Sequence, residues 1–266
     1  MGKVKQKVSL RGRDDQAKLK QRLLDRLFQH VLIRELRIKG AAVAKATIFD
    51  VNETLLDMTA LDPHFERAFG AASFRERWFE QLQVLWLVTI ATNMYQHFTN
   101  LSKAALETMA RKERIDLAAE DQTGILETIT ALPPYPDVAP ALTQLREAGL
   151  RLAALTNGTL NSARAQLKHA KLEDFFEEIM SADEAQCYKP ASKAYHITAE
   201  QLRLRPQSLR LVAAHDWDIT GAYAAGLQTG FVKRPRKVFN PLALKPDITG
   251  ADLIELAQKI LCKDKG

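Results

Sequence analysis

Cysteine is scarce in this chain: Cys187 and Cys262 are the only two among 266 residues. So few and so distant, they make neither a disulfide framework nor a zinc signature, and a reducing cytoplasm is the expected compartment. Long apolar runs are also missing, so no membrane span is expected and the protein should be soluble. No secretory h-region with a cleavage site is evident, and Asp14, Asp15 and Asp25 argue against a transit peptide. Internal repeats and low-complexity tracts are absent as well.

What is present is a hydrophobic content of 46%, enough at this length for a sizeable core in one domain with an insertion or in two small domains. The net charge of +6 is unevenly placed. Residues 1–40 hold twelve Lys/Arg against four Asp/Glu, a balance of +8, and the remainder holds 26 against 28, a balance of −2. The basic character therefore belongs to an N-terminal extension, taken as residues 1–44, in which apolar spacing predicts a helix over 16–38. A nucleic-acid partner is not expected, because a basic binding face should lie on the fold itself.

Residues 47–57, Thr-Ile-Phe-Asp-Val-Asn-Glu-Thr-Leu-Leu-Asp, organise the rest. The apolar run 46–49 predicts a buried parallel strand that stops at Asp50. A carboxylate at the C-terminal end of such a strand lies where open α/β sheets bind ligands. Helix capping by Asp50 or Asn52 is the competing reading. The same arrangement recurs downstream. A strand over 150–155 is ended by Thr156-Asn157-Gly158, Lys189-Pro190 follows, and an apolar run over 209–214 is ended by His215-Asp216-Trp217-Asp218.

Between the first two of these stretches the periodicity turns helical, over 61–69, 74–98, 102–111 and 119–132, until Pro133-Pro134-Tyr135-Pro136 stops it. Alternation then resumes. A helix capped by Asp137 and ended by Gly149 leads to the second strand; helices over 160–170, 192–202, 219–225 and 251–261 and strands over 209–213 and 228–232 complete a doubly wound parallel sheet.

The four stretches in order resemble the motifs of the haloacid dehalogenase (HAD) superfamily over roughly residues 45–261. The resemblance implies an α/β, Rossmann-like core over 45–57 and 134–262, with an inserted all-helical cap of C1 type over 58–133 that covers the site. In its terms Asp50 is the nucleophile and Thr54 orients it, while Glu53 is expected to be solvated or structural. Lys189 lowers the pKa of Asp50 and neutralises charge. Asp218 positions Lys189 or activates water, its competing role being a cap on the helix that follows.

Phosphatases of the superfamily carry a second Asp two residues after the nucleophile, which protonates the leaving alcohol. Here Asn52 stands in its place, and an amide supplies no proton. Halide needs none, which points toward the L-2-haloacid dehalogenase branch, as does Lys189-Pro190 followed by Tyr195. Asp50 and Asp218 alone are too few oxygens for magnesium, so neither a metal nor another cofactor is expected. Thr156 and Asn157, opening a helix, are candidates for holding the substrate carboxylate and halide. Asn52 and Tyr195 are further binding candidates.

In that branch a cap arginine receives the halide; Arg77 is the candidate, with Arg75 in the same turn. Trp86, Tyr95, Phe98 and Trp217 are candidates for the apolar wall and halide contact, the aromatic residues of the cap being equally placed for its core. Three positions depart from the well-studied dehalogenases, which carry Tyr, Ser and Asn where this chain has Asn52, Ala213 and His215. The combination resembles a distinct set of type II dehalogenases, in which His215 orients water, acts as base or fills space.

The expected activity is hydrolysis of short (S)-2-haloalkanoates, with inversion, through an ester on Asp50. The partner is a small halogenated carboxylic acid, and a homodimer is in keeping with the resemblance. The competing functions are a magnesium-dependent phosphatase or other HAD hydrolase, and a non-catalytic HAD-like binding protein using the basic extension.

Overall fold

The structure is a computed structural model and describes residues 43–264. The expected helix over 16–38 and all but the end of the basic extension lie outside them. Six parallel strands form one sheet in the order β3-β2-β1-β4-β5-β6: β1 (Ala46–Phe49), β2 (Arg151–Thr156), β3 (Glu178–Ser181), β4 (Leu209–Ala213), β5 (Gln228–Val232) and β6 (Ile248–Gly250). The order reverses direction on either side of β1, so the switch point of the sheet lies between β1 and β4.

Neighbouring residues on the inner strands point to opposite faces, and both faces are packed. Ile48, Ala153, Leu155 and Leu211 enter one core with Tyr195, Ala199 and Ile219, while Phe49, Leu152, Ala154 and Val212 enter the other. The covering helices are α5 (Val138–Glu147), α6 (Leu160–His169), α7 (Ser192–Gln201), α8 (Asp216–Ala224) and α9 (Leu253–Asp264), numbered after the four of the cap. Among the described residues, no helix is long and apolar enough to cross a membrane.

The cap lies between β1 and the linker at Pro133. It comprises α1 (Asp62–Phe69), α2 (Phe74–Thr92), α3 (Phe98–Glu113) and α4 (Ala119–Thr128). Phe65, Trp78, Leu82, Trp86, Leu106 and Ile125 bury one face of each helix against the others and join the core that holds Phe49 and Val51. The helix expected over 74–98 is two helices. Asn93 takes a left-handed conformation (φ 56°), which asparagine tolerates, and the chain restarts its helix at Phe98.

Two strands escaped the sequence pattern, β3 and β6. Both are short edge strands with residues open to solvent, so neither carries the continuous apolar run that marks the inner four. Asp137 stands at the start of α5 without capping it. Its carboxylate instead accepts from Arg234 Nη1 (2.9 and 2.8 Å) and from the Leu253 amide (2.6 Å), tying the end of the cap linker to β5 and α9.

Candidate active site

β1 delivers Asp50 to the switch point. Its amide donates to Val212 O of β4 (3.0 Å), and the chain then turns back on itself, with the Leu55 and Leu56 amides donating to Val51 O. The turn places Thr54 over the carboxylate. Its hydroxyl donates to Asp50 Oδ2 (2.7 Å) and accepts from the Ala214 amide beyond β4 (3.0 Å), locking the two strand ends together.

Lys189 is fully buried and reaches the same point from the loop before α7. Its ammonium donates to Asp50 Oδ1 (2.8 Å), Asp218 Oδ2 (2.7 Å) and Leu155 O (2.9 Å), so all three of its protons have an acceptor. Burial alone would push the Asp50 carboxyl up, but the Lys189 ammonium and the hydrogen bond from His215 outweigh it and hold the group well below the usual carboxylate range. Burial would lower Lys189; Asp218 and Asp50 outweigh that and raise it. Burial and the charge of Asp50 raise the Asp218 carboxyl against the pull of Lys189.

Asp218 lies within the first turn of α8, which starts at Asp216, so it is not the cap of that helix. Tyr195 donates to Asp218 Oδ1 (2.6 Å) and is itself buried without exposure, which sets it behind Asp218 and not against a ligand. Gly221 lets α8 approach this far: a Cβ there would fall 2.5 Å from Pro190 Cβ and 2.7 Å from the Tyr195 hydroxyl. Asn157 clasps Lys189 by its backbone, accepting from its amide (2.8 Å) and donating to its carbonyl (3.1 Å). The Asn157 side chain is therefore occupied in seating Lys189, contrary to its expected place on a substrate carboxylate. Thr156 Oγ1 accepts from the Gly158 amide (3.0 Å) at the mouth of the same turn.

On the opposite side of Asp50 stands a second charged cluster. His215 Nδ1 is 3.1 Å from Asp50 Oδ2 and its Nε2 is 3.0 Å from Glu53 Oε2. Burial would lower the His215 pKa, but hydrogen bonds to the two carboxylates and their charge raise it to about 9, making the ring an imidazolium that donates on both sides. Glu53, expected to be solvated or structural, is 5% exposed and is the centre of this cluster. It also receives Lys237 Nζ (2.5 Å) and, more loosely, Arg75 Nη1 (3.4 Å). Burial would push it up; His215 and then Lys237 outweigh that and hold it at about 2.

The spacing hid this role. Glu53 takes a left-handed backbone (φ 59°), which turns its side chain toward β4. Lys237, on the loop after β5, has no sequence signal at all, because only the register of the sheet brings it to β1.

An aromatic roof closes over the site, with Phe79, Trp86 and Phe98 from the cap and Trp217 from α8. Phe79 stacks on His215 (centroids 5.7 Å apart), Trp217 stacks on its ring as well (5.0 Å), and Trp86 meets Trp217 (5.5 Å) and Phe98 (6.3 Å). The Trp217 indole nitrogen is buried and has no hydrogen-bond partner among the described residues. Beside His215 opens a cavity of about 310 Å³, lined by Glu53, Phe79, Trp217, Arg236 and Lys237 among others. Asp183, unremarked in the sequence, fastens the roof to the core: it accepts from Tyr95 (2.6 Å), Tyr188 (2.7 Å) and the Phe98 amide (2.9 Å).

Two expected ligand contacts are not made. Arg77 is 48% exposed, stacks over Phe74 and pairs with Glu113 on the outer face of the cap, so its guanidinium is directed away from Asp50. It follows the helical period of α2, which turns Trp78 and Phe79 inward and Arg77 outward. Arg75 does turn inward, but Asp62 (2.5 Å), Glu53 and Glu76 already surround it. Asn52 leaves the site too, its Oδ1 accepting from Gln166 Nε2 of α6 (2.9 Å).

Magnesium does not fit this arrangement. The Lys189 ammonium occupies the space between Asp50 and Asp218, and among the described residues no cluster of three or more His, Cys, Asp or Glu is arranged to hold a metal.

A buried, ammonium-paired aspartate at the switch point of a Rossmann-like sheet, under a helical cap, defines a class of capped hydrolases. Residues 44–226 match the sequence profile of haloacid dehalogenase-like hydrolases, and the chain belongs to that family. It is 31% identical to the (S)-2-haloacid dehalogenase of Pseudomonas sp. (strain YL) over 209 residues, 76% of this chain and 88% of that one. It is 29% identical to haloacetate dehalogenase H-2 of Moraxella sp. (strain B), covering 77% of this chain and 92% of the other. The fold is shared with L-2-haloacid dehalogenase from Xanthobacter autotrophicus, solved with chloropropionic acid covalently bound: TM-score 0.75 at 23% identity, over 82% of this chain and 98% of that one. The chain is thus a hydrolase of the haloacid dehalogenase type.

Proposed function

We propose that the protein is an (S)-2-haloacid dehalogenase acting on short 2-haloalkanoates such as haloacetates and 2-halopropionates, with inversion at C2 and without a metal. One observation carries this reading: the residue two positions after Asp50 is an amide already bound to Gln166, so that position offers no acid to a leaving alcohol, whereas halide leaves without a proton. The names of the similar Pseudomonas and Moraxella proteins support it.

In the first half-reaction a carboxylate oxygen of Asp50 forms a bond to C2 as the carbon–halogen bond breaks, and the halide departs with the electron pair. Lys189 keeps Asp50 ionised, Asp218, itself bound by Tyr195, holds Lys189, and Thr54 fixes the carboxylate plane. With Arg77 directed outward, the Trp217 indole N–H is the donor assigned to the departing halide, since it is buried and has no acceptor. Trp86 and Phe98 complete a wall that strips water from substrate and anion.

In the second half-reaction water attacks Cγ of Asp50. Esterification has removed the charge that faced His215 Nδ1, so the proton affinity of the ring falls and it gives up its proton through the adjoining cavity. The neutral ring, oriented by Glu53, takes a proton from the attacking water and returns it to the departing alkoxide, and the second water proton, left on the regenerated Asp50 carboxyl, passes to the ring and restores the carboxylate and imidazolium. The overall reaction yields hydroxy acid, halide and one proton.

The test is halide release from (S)-2-chloropropionate in EDTA, beside a magnesium-supplemented phosphate-ester control. Halide release insensitive to EDTA is expected; magnesium-dependent phosphate release without halide would overturn the reading.

A further inference from the structure

Lys237 lies outside all four motifs, yet it meets the same oxygen as His215. Its Nζ is 2.5 Å from Glu53 Oε2, and His215 Nε2 is 3.0 Å from that atom. The loop that carries it is held firmly. The Lys237 amide donates to Arg234 O (3.0 Å), and Arg234 donates through Nε and Nη2 to Thr54 O (3.0 and 2.9 Å), in the turn that bears Glu53 itself. The ammonium also lies 5.7 Å from the ring centroid of Phe79, which stacks on His215. Only 22% of the Lys237 side chain is exposed.

We infer that Lys237 is a positioning residue for ester hydrolysis: it fixes Glu53 against His215 and, by sharing Oε2, limits how strongly Glu53 retains the His215 proton. The inference rests on the dehalogenase reading above. Before alkylation, two carboxylates hold His215 protonated. After it, Asp50 is a neutral ester and Glu53 alone holds the proton, so the charge that balances Glu53 decides whether the ring can act as a base.

The groups around His215 are accounted for by element. The turn after β1 gives Asp50 and Glu53, backed by Lys189 and, behind it, Asp218. The cap gives the Phe79 ring, with Arg75 on Glu53 and Glu76 and Glu80 on the cavity wall, and α8 gives Trp217 and Asp216. The loop after β5 gives Lys237 and Arg236, and Arg236 is drawn to Glu76 (2.8 Å). Of the permanent cations among the described residues, Lys237 alone makes a close bond to Glu53, because Arg75 is 3.4 Å away and divided among three acids.

Removing the Lys237 charge raises the proton affinity of His215 in the ester, so hydrolysis slows at the acid side while alkylation does not. The experiment compares wild type, Lys237→Met, Lys237→Gln and Lys237→Arg in steady-state and single-turnover halide release from (S)-2-chloropropionate across pH. For Lys237→Met and Lys237→Gln, kcat and KM are expected to fall together by roughly three- to tenfold, with kcat/KM within about twofold of wild type. A burst of one halide per site is expected before the slow phase, and the acid limb of kcat should move upward by about half a unit to one unit. Lys237→Arg should restore limb and burst behaviour to those of wild type.

An unmoved limb with no burst in Lys237→Met and Lys237→Gln would overturn the inference, as would a loss in kcat/KM equal in all three variants. Either result with an active wild type sinks the Lys237 assignment alone. A wild type that releases no halide from any 2-haloacid sinks the dehalogenase reading, and this inference with it.

Discussion

The floor of the site and its roof are built on opposite terms. Asp50, Thr54, Lys189, Asp218, Tyr195, His215 and Glu53 form a buried polar network in which each group has partners at hydrogen-bond distance. The roof of Phe79, Trp86, Phe98 and Trp217 is aromatic, and its Trp217 N–H has no partner among the described residues. A floor of this kind has its charges oriented before substrate arrives, so little reorganisation is left for the reaction step. A roof with an unmet donor gains only when an anion enters. On the proposed reading the contrast assigns bond-making to the polar floor and leaving-group reception to the aromatic roof, whose N–H donor comes from α8 of the core and whose other rings come from the cap.

The strongest way to break this division is at the floor. Asp50→Asn retains the shape of the side chain but removes the attacking carboxylate, and halide release should fall by roughly a thousandfold or more. His215→Asn strikes chiefly the second half-reaction, because Lys189 still holds Asp50 ionised. It should release about one halide per site and then stall, with turnover down by roughly a hundredfold to ten-thousandfold and the ester detectable by intact mass.

The same variant tests the charges. The folded pKa of His215 is raised from 6.5 to about 9, so its stabilising contribution is complete below pH 6.5 and is lost as pH rises through about 9. Melting temperature should therefore drop across that interval in wild type and drop less in His215→Asn.

A smaller effect is expected where floor and helix meet. Gly221→Ala forces a methyl into Pro190 and the Tyr195 hydroxyl, at about 1–3 kcal/mol of stability, and displaces Lys189, so melting temperature and activity should fall together. The roof gives the mildest responses and sharpens the contrast. Trp217→Phe, which removes the N–H but retains a ring, should slow halide departure by roughly tenfold. Arg77→Ala should stay within about twofold of wild type in halide release, because its guanidinium faces Glu113 and solvent.

How much of this was legible in the sequence follows the same line. Asp50 and His215 follow strands packed on both sides, whose apolar runs end abruptly, and their order alone locates them at the sheet edge. Thr54 was legible from its place four residues after Asp50, and Lys189 through the resemblance of the four stretches in order, with Tyr195 six residues on. Glu53 was not, because its inward turn depends on a left-handed backbone that no residue preference announces. Lys237 and Asp183 were not either, since each contacts the site across the sheet or the cap boundary, far away in the chain. In the cap, the helical pattern was clear but its phase was not: outward Arg77 stands next to inward Trp78 and two positions after inward Arg75, and the break at Asn93 shifts every position after it. Asn52 and Asn157 could be named from the motifs, while their side chains prove to bind Gln166 and the Lys189 backbone.

The most direct test of the central claim is a single turnover of (S)-2-chloropropionate with enzyme in excess, in water enriched in oxygen-18. Attack of water on Cγ of an Asp50 ester places the label in the Asp50 carboxylate, and the hydroxy acid takes its new oxygen, unlabelled, from the enzyme. Label in Asp50 by peptide mass and none in the product is the result predicted here. Label in the product hydroxyl from the first turnover, with Asp50 unlabelled, would mean that water attacks C2 directly and would contradict the account.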